Sequence, residues 1–321
     1  MPSPVQAGVN GGIVKDGPEL SYRRAWYDER MRNNLQPCQP QNYDFHCHST
    51  ASDGMLAPRA LVERAAQRGV RRLALTDHDT LRGLPEAAEA AAALGVELIP
   101  GIELSVSWDN RELHLVGLNI DPQQAAMLEL VEAQQQARRL RAEKIGARLD
   151  KAAGLIGSYQ RAAELADTDA PGRPWFARML VAEGKVRDMN HAFDRYLRQG
   201  QSAFVKTPWV TLTQAIAVIN EAGGLAVLAH PLRYGLTRRK LRKLLGEMTE
   251  HGRCALEVAL PGQNMSDQRL LDECLRDFEL LASGGSDFHS PEQKWLDLGR
   301  LPELPAGARP VWEGFQPAPR G

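Results

Sequence analysis

Cysteine is scarce in this chain: it has four, Cys38, Cys47, Cys254 and Cys274, and no two of them form a C-x-x-C pair. Scattered single cysteines argue against a disulfide framework and suit a reducing compartment. Long apolar runs are missing too; nothing approaches the roughly 18 residues a membrane-spanning helix needs. No charged-then-apolar leader opens the sequence, so a soluble, cytoplasmic protein is expected. Neither sign of charge is in excess. The formal net charge of −1 excludes a general basic coat for nucleic acid, although a local basic groove remains open, since steering depends on where charge sits. The 43% hydrophobic and 25% charged content is that of an ordinary globular enzyme. The length suits one large domain, or one domain carrying an insertion.

Residues 1–41 hold Pro, Gly, Asn and Gln without sustained periodicity and read as a flexible or loosely docked extension. From Tyr43 short apolar runs alternate with helical stretches. Pro58 opens a helix whose apolar face is Leu61, Val62, Ala65 and Ala66, and Gly69 stops it. Val70–Thr76 reads as a strand, Pro85–Leu94 as an Ala-rich helix closed by Gly95, and Val96–Pro100 and Glu112–Ile120 as further strands. Such alternation predicts parallel pairing in an α/β fold. After Asp121-Pro122 the rhythm changes. Residues 123–205 carry long helical patterns, beginning with Gln123–Ala153, and are expected to form a helical insertion. Arg138, Arg139, Arg141, Lys144 and Arg148 make this segment basic, read equally well as a solvated face or as a functional one. The alternation returns at Thr211, whose Thr-Leu-Thr-Gln fits a capping box. Strands follow at Leu225–Ala229, Cys254–Leu260 and Glu279–Ser283, and residues 304–321 read as a tail.

The chemistry lies at the strand ends. His46-Cys47-His48 follows the run Tyr43–Phe45, and in extended chain residues two apart face the same side, so both imidazoles can meet one cation. Asp287-Phe288-His289 repeats the pattern. Asp53 follows in the loop 49–54, His78 stands in Thr76-Asp77-His78-Asp79, Glu103 in Gly101-Ile102-Glu103-Leu104, and His114 and His230 on or after other strands. Six of the eight histidines are so placed. Taken singly each has a plain alternative: His114 a core histidine, Glu103 a loop acceptor, Asp53-Gly54 a turn. Together they gather more ionisable groups than one rim tolerates without a cation. In parallel α/β folds the carboxyl ends of the strands converge on such a rim. Mixed imidazole and carboxylate donors suit Mn²⁺, Zn²⁺ or Fe²⁺ with open positions rather than a closed, sulfur-rich structural zinc site. More ligands than one ion needs implies a multinuclear centre able to acidify a shared water and clamp an in-line displacement at phosphorus.

At these residues the chain resembles the polymerase and histidinol phosphatase (PHP) family. The matching pieces are Asp44-Phe45-His46-Cys47-His48-Ser49-Thr50, Thr76-Asp77-His78-Asp79, Gly101-Ile102-Glu103, His114, Ala229-His230-Pro231 and Gly285-Ser286-Asp287-Phe288-His289. The resemblance implies a distorted (β/α)₇ barrel over 42–122 and 206–303 with a trinuclear centre. It implies that His46, His48, Glu103 and Asp287 hold one ion, Glu103, His114 and His230 a second, and Asp53, His78 and His289 a third. Asp53, where some relatives have His, favours manganese. Ser52-Asp53-Gly54, Pro174-Trp175-Phe176-Ala177-Arg178, Trp209 and His230-Pro231-Leu232-Arg233-Tyr234 resemble the RNase AM / 3′,5′-nucleotide bisphosphate phosphatase branch. Trp175 replaces a more usual His there, and Leu232 a more usual Gly.

The expected reaction is hydrolysis of a phosphoester by a metal-bridging hydroxide, with no catalytic residue beyond the metal ligands. The expected substrates are 3′,5′-nucleotide bisphosphates and short 5′-phosphorylated RNA, degraded 5′→3′, with no obligatory protein partner. A bisphosphate needs fixed cations for its second phosphate, and Arg233, Arg178 and Lys206 are the candidates, the last two from an insertion acting as a lid. Tyr234 and Trp175 are read equally well as base-stacking or as packing residues. Two other readings are a small-metabolite phosphatase, such as one for histidinol phosphate, and a non-catalytic metal-binding module of a nucleic-acid machine.

Overall fold

The computed structural model describes residues 36–316. Its centre is a mixed sheet built from β2 (Tyr43–Asp44), β3 (Arg72–Leu75), β4 (Glu97–Trp108), β5 (Arg111–Leu118), β7 (Leu225–Leu228), β8 (Cys254–Ala259) and β9 (Leu281–Gly284), in that spatial order. The short β6 (Val210–Thr211) lies beside β4. Pairing is parallel except where β5 meets β4 and β7, both of which it joins antiparallel. The expectation of parallel pairing throughout therefore fails at β5, and the cause is local. Asp109 and Asn110 both adopt positive φ, 46° and 60°, the geometry of a two-residue hairpin turn that matches strand twist. That turn folds β4 straight back into β5. β4 also runs on past Pro100, so Glu103 stands within a strand rather than in a loop.

The two edges of the sheet meet. Phe45 N–H donates to Gly284 O at 3.1 Å, Asp287 N–H to His46 O at 2.8 Å and His48 N–H to Phe288 O at 2.9 Å. Gly285 permits this approach, because a Cβ there would sit 2.2 Å from the Cβ of His46.

Helices cover the outer face. Pro58 starts α1 (Pro58–Gln67) and Gly95, left-handed at φ 66°, ends α2 (Leu84–Leu94); these bury Leu61, Val62 and Ala87 against Leu73 and Leu75. The predicted capping box starts α7 (Leu212–Glu221). With α8 (Arg238–Glu250) and α9 (Met265–Asp277) this helix packs Ile216, Leu245 and Leu271 on Leu104, Leu115 and Leu256. Phe45, Ile99, Val116, Val227 and Ala255 fill the inner face.

Between β5 and β6 the chain is helical: α3 (Ala125–Ala153), α4 (Ser158–Ala166), α5 (Arg173–Ala182) and α6 (Met189–Ala192), which runs into a π-turn at Phe193–Leu197. This stretch has its own buried cluster, including Ile145, Leu149, Phe176, Leu180 and Leu197. Each such side chain stabilises by about 1.5–3 kcal/mol when removed from water.

The expected N-terminal extension lies outside the described residues up to position 35. Gln39–Pro40 forms β1, paired with β10 (Arg300–Leu301). The expected tail packs as far as residue 316: Val311 is buried, and the Trp312 ring lies 5.1 Å from that of Tyr43. Among the described residues no helix is long and apolar enough to cross a membrane.

Candidate metal centre

Four of the parallel strands deliver side chains just past their carboxyl ends. His46 and His48 follow β2, His78 follows β3, His230 follows β7, and Asp287 and His289 follow β9; Glu103 sits within β4. The antiparallel β5 supplies His114 from its opposite half, through its pairing with Ser105. Asp53 arrives from the loop after His48. All nine predicted side chains converge. Four groups have donor atoms within 4.8 Å of one another: His48, Asp53, His78 and His289; His46, Glu103 and His230; His46, His48 and Asp287; and His78, Glu103 and His114.

Orphan atoms mark the focus. His46 Nε2, both ring nitrogens of His48, His78 Nδ1, Glu103 Oε2 and His230 Nδ1 are buried without a hydrogen-bond partner. Unpaired buried polar atoms are costly, and so many gathered in one cluster fit a cation. The backbone is strained at the same place, with His230 at φ 32°, Asp287 at 55° and Asp79 at 51°, a departure that functional sites often carry.

Charge is balanced within the cluster. Burial opposes ionisation of Asp53, yet the imidazoles of His289 and His78 hold its carboxyl well below the usual range. Glu103 is held down likewise by His78, His114 and His46, and Asp287 by Arg233 and His46. Burial also opposes the charged form of His48, but Asp287 and Glu103 beside it push it up to about 10. Glu257, Glu103 and Asp287 raise buried His46 in the same way. A divalent cation held by these residues would satisfy the same carboxylates in place of those protons, since imidazole binds metal through its lone pair.

The sequence reading missed the residues that orient this set. Glu257, inside β8, accepts Nδ1–H of His46 at 2.9 Å and the backbone N–H of His230 at 2.6 Å, so Nε2 of His46 faces the cluster. Asp77 accepts from Ser49 N at 2.8 Å and Ser52 Oγ at 2.6 Å, which shapes the loop carrying Asp53. Tyr234 Oη accepts from His114 N at 2.8 Å, a packing role for that phenol.

The basic helix α3 divides by face. Arg139, Lys144 and Arg148 lie outward or at the edge, but Gln134, Arg138 and Arg141, spaced four and three apart, turn inward. Arg138 pairs with Asp79 at 2.6 Å. Buried Arg141 lies 3.6 Å from Glu112 Oε1, and its Nε and Nη2 have no hydrogen-bond partner; burial lowers it to about 9. With Arg173 and Arg233 these arginines line a cavity of about 260 Å³ that also reaches His78, His114, His230, Asp287 and His289.

Of the expected substrate contacts, Arg233 lines this cavity and pairs with Asp287. Arg178 instead donates to Asp53 O at 3.1 Å and stacks on the Trp175 ring at 4.3 Å. Trp175, whose indole N–H bonds Ser52 O at 2.9 Å, is buried as a clamp on that loop rather than as a platform for a base. Lys206 lies farther out, in an adjoining cavity, with Nζ 3.3 Å from Asn110 Oδ1. Leu232 packs against the main core.

A PHP-domain profile matches residues 44–168. A 5′-3′ exoribonuclease of Haemophilus influenzae is 46% identical over 275 residues, 86% of this chain and 99% of the relative. A 3′,5′-nucleoside bisphosphate phosphatase of Chromobacterium violaceum is 40% identical, covering 86% of this chain and 96% of its own. A solved structure from Chromobacterium violaceum, assigned as an amidohydrolase with bound sulfate and no metal, superposes with a TM-score of 0.80 at 40% identity, over 85% of this chain and 95% of that one.

Proposed function

Because this chain belongs to the PHP-domain family, we propose that it is a metal-dependent phosphoesterase that removes the 3′-phosphate of 3′,5′-bisphosphorylated nucleosides and trims 5′-phosphorylated RNA from its 5′ end. The two substrates share one pattern: a terminal 5′-phosphate one ribose away from the phosphorus to be hydrolysed. The observation that carries this reading is Arg141, a buried guanidinium with open donors beside the metal cluster. Its carboxylate neighbour, Glu112, lies at 3.6 Å, beyond hydrogen-bond reach, and the fork of an arginine matches a phosphate that would complete it. Arg138 and Arg173 flank it, so the terminal phosphate is bound there and the ribose then presents its 3′-phosphate to the cluster.

The donor set fits divalent ions, two or three of them, held by His46, His48, Asp53, His78, Glu103, His114, His230, Asp287 and His289. Oxygen and imidazole donors suit manganese, with zinc or iron(II) as alternatives. Such ions acidify water and offset charge on phosphoryl oxygens. Water then replaces any side-chain nucleophile, and the protein's own part is positioning. Glu257 aims His46, Asp77 shapes the Asp53 loop, the arginines orient the substrate, and residues 123–205 serve as a lid. The meeting of the sheet edges supports reading the seven strands as a closed, distorted barrel.

Cleavage of an amide or of a small monoester such as histidinol phosphate uses a similar centre but has no use for a second, buried cation site. The test is phosphate release by the manganese-loaded protein from adenosine 3′,5′-bisphosphate and from p-nitrophenyl phosphate. Losing a charged hydrogen bond of about 1.5–3 kcal/mol, Arg141→Ala is expected to lower kcat/KM on the bisphosphate about ten- to hundredfold and to spare the simple ester. An equal fall on both, reproduced by Arg141→Lys, rejects the anchor.

A further inference from the structure

The arginine-lined cavity opens into a larger one of about 740 Å³ that shares Glu112, His114, Arg173, His230 and Arg233 with it. A bisphosphate held between the arginines and the cluster leaves this outer space unfilled. One wall is the β4–β5 turn with Asp109, Asn110 and Arg111; the other is the stretch from Phe204 to Pro208. Asp109 also borders a neighbouring hollow lined by Thr237, Arg239, Lys240 and Lys243.

The charges along this path are unevenly matched. Arg111 reaches only the carbonyl of Tyr234, at 3.3 Å, and Lys206 only the amide oxygen of Asn110. Among the described residues neither of these exposed side chains, nor Arg239, meets a carboxylate. The acids in the lining are already occupied, Asp109 by Lys240 at 2.8 Å and Glu112 by Arg173 at 3.0 Å. Half-buried Phe204 adds an aromatic ring to the wall. Unpaired cations strung beside an aromatic face suit a single-stranded polyanion with stacking bases.

We propose that this path binds the RNA chain on the 3′ side of the bond being cut, with Arg111 and Lys206 taking its first backbone phosphates and Arg239 a later one. The inference rests on the phosphoesterase reading of the centre, which also sets its direction. With the terminal 5′-phosphate among the arginines, the O3′–P bond breaks at the cluster. Water supplies the oxygen that joins phosphorus, and a proton ends on the released 3′-oxygen. The mononucleotide leaves from the arginine side. The shortened chain, now carrying its own 5′-phosphate, stays in the outer cavity.

The experiment compares kcat/KM of the manganese-loaded protein on a 5′-phosphorylated ten-residue oligoribonucleotide, a 5′-phosphorylated dinucleotide and adenosine 3′,5′-bisphosphate. In the Arg111→Ala, Lys206→Ala double variant the ratio of oligonucleotide to bisphosphate kcat/KM is expected to fall about tenfold or more, through KM. The slope of log KM against log salt should become shallower by about 1.4, roughly 0.7 per lost phosphate contact. The dinucleotide, too short to fill the path, should lose less. An unchanged ratio, or an equal loss on the dinucleotide, overturns the inference. If the unaltered protein cleaves the bisphosphate but no oligonucleotide, the path is refuted while the phosphoesterase reading stands; if it cleaves neither, both fail.

Discussion

Glu257 has no local signature, since it is one carboxylate in a strand of six buried residues. Only the packing of β8 between β7 and β9, whose far edge meets β2, brings it under His46 and His230. Carboxylates in this outer role are worth about ten- to hundredfold in metal affinity. Glu257→Gln is therefore expected to weaken manganese binding by that factor in calorimetric titration, and wild-type affinity would reduce the residue to packing. Arg233 looked from the sequence like a dedicated substrate anchor, but it pairs with Asp287 in the cluster. Arg233→Ala should accordingly slow the bisphosphate and the simple ester alike, whereas a loss confined to the bisphosphate would restore the anchoring role. Gly285→Ala drives a methyl into His46 at the seam between β2 and β9. An overpacking penalty of about 1–3 kcal/mol or more is expected, read as a lower midpoint in urea, and an unchanged midpoint would mean the seam yields freely.

At the scale of elements, the histidine pairs were legible because a strand's two-residue period and a run of strand ends are local patterns. The direction of α3 was not. Its charges wind around the whole helix, and the split between Gln134, Arg138 and Arg141 on one side and Arg139, Lys144 and Arg148 on the other depends on what lies beneath. The Asp109–Asn110 hairpin did have a sequence signal, two residues tolerant of positive φ between apolar runs. The alternation of strands and helices concealed it. Through Trp175 and Arg178, α5 holds the loop bearing Asp53. Trp175→Ala should raise amide exchange over residues 50–54 and weaken metal binding several-fold with the sheet's protection intact. Unchanged exchange in that loop would show that Asp77 alone holds it.

Over the whole molecule the cluster links stability to pH and to metal. The depressed carboxyls of Asp53, Glu103 and Asp287 contribute stability that is present above their unfolded values, about 4. That stability is lost as pH falls toward the folded values. The raised imidazoles run the other way: His48 stabilises most below its unfolded value and loses that contribution as pH rises through about 10. Metal and proton compete for the same nitrogens. Manganese affinity should therefore strengthen as pH rises from about 6 to 8, with proton release visible as a dependence of binding heat on buffer ionisation enthalpy. A pH-independent affinity would separate these imidazoles from the metal.

The amino-acid order alone determined which residue types were available for metal chemistry and, through the spacing at strand ends, that His46, His48, His78, His230, Asp287 and His289 could share one rim. The alternation of side chains is enforced by covalent geometry wherever a strand forms, and parallel pairing then brings strand ends to one rim. Tertiary structure decided the rest: how the donors group, which arginines are buried with open hydrogen bonds, and where the basic path leaves the centre. Those properties depend on desolvation and on distances between segments far apart in the chain. His46 and the Glu257 that aims it are separated by 211 positions, and no local pattern encodes their meeting.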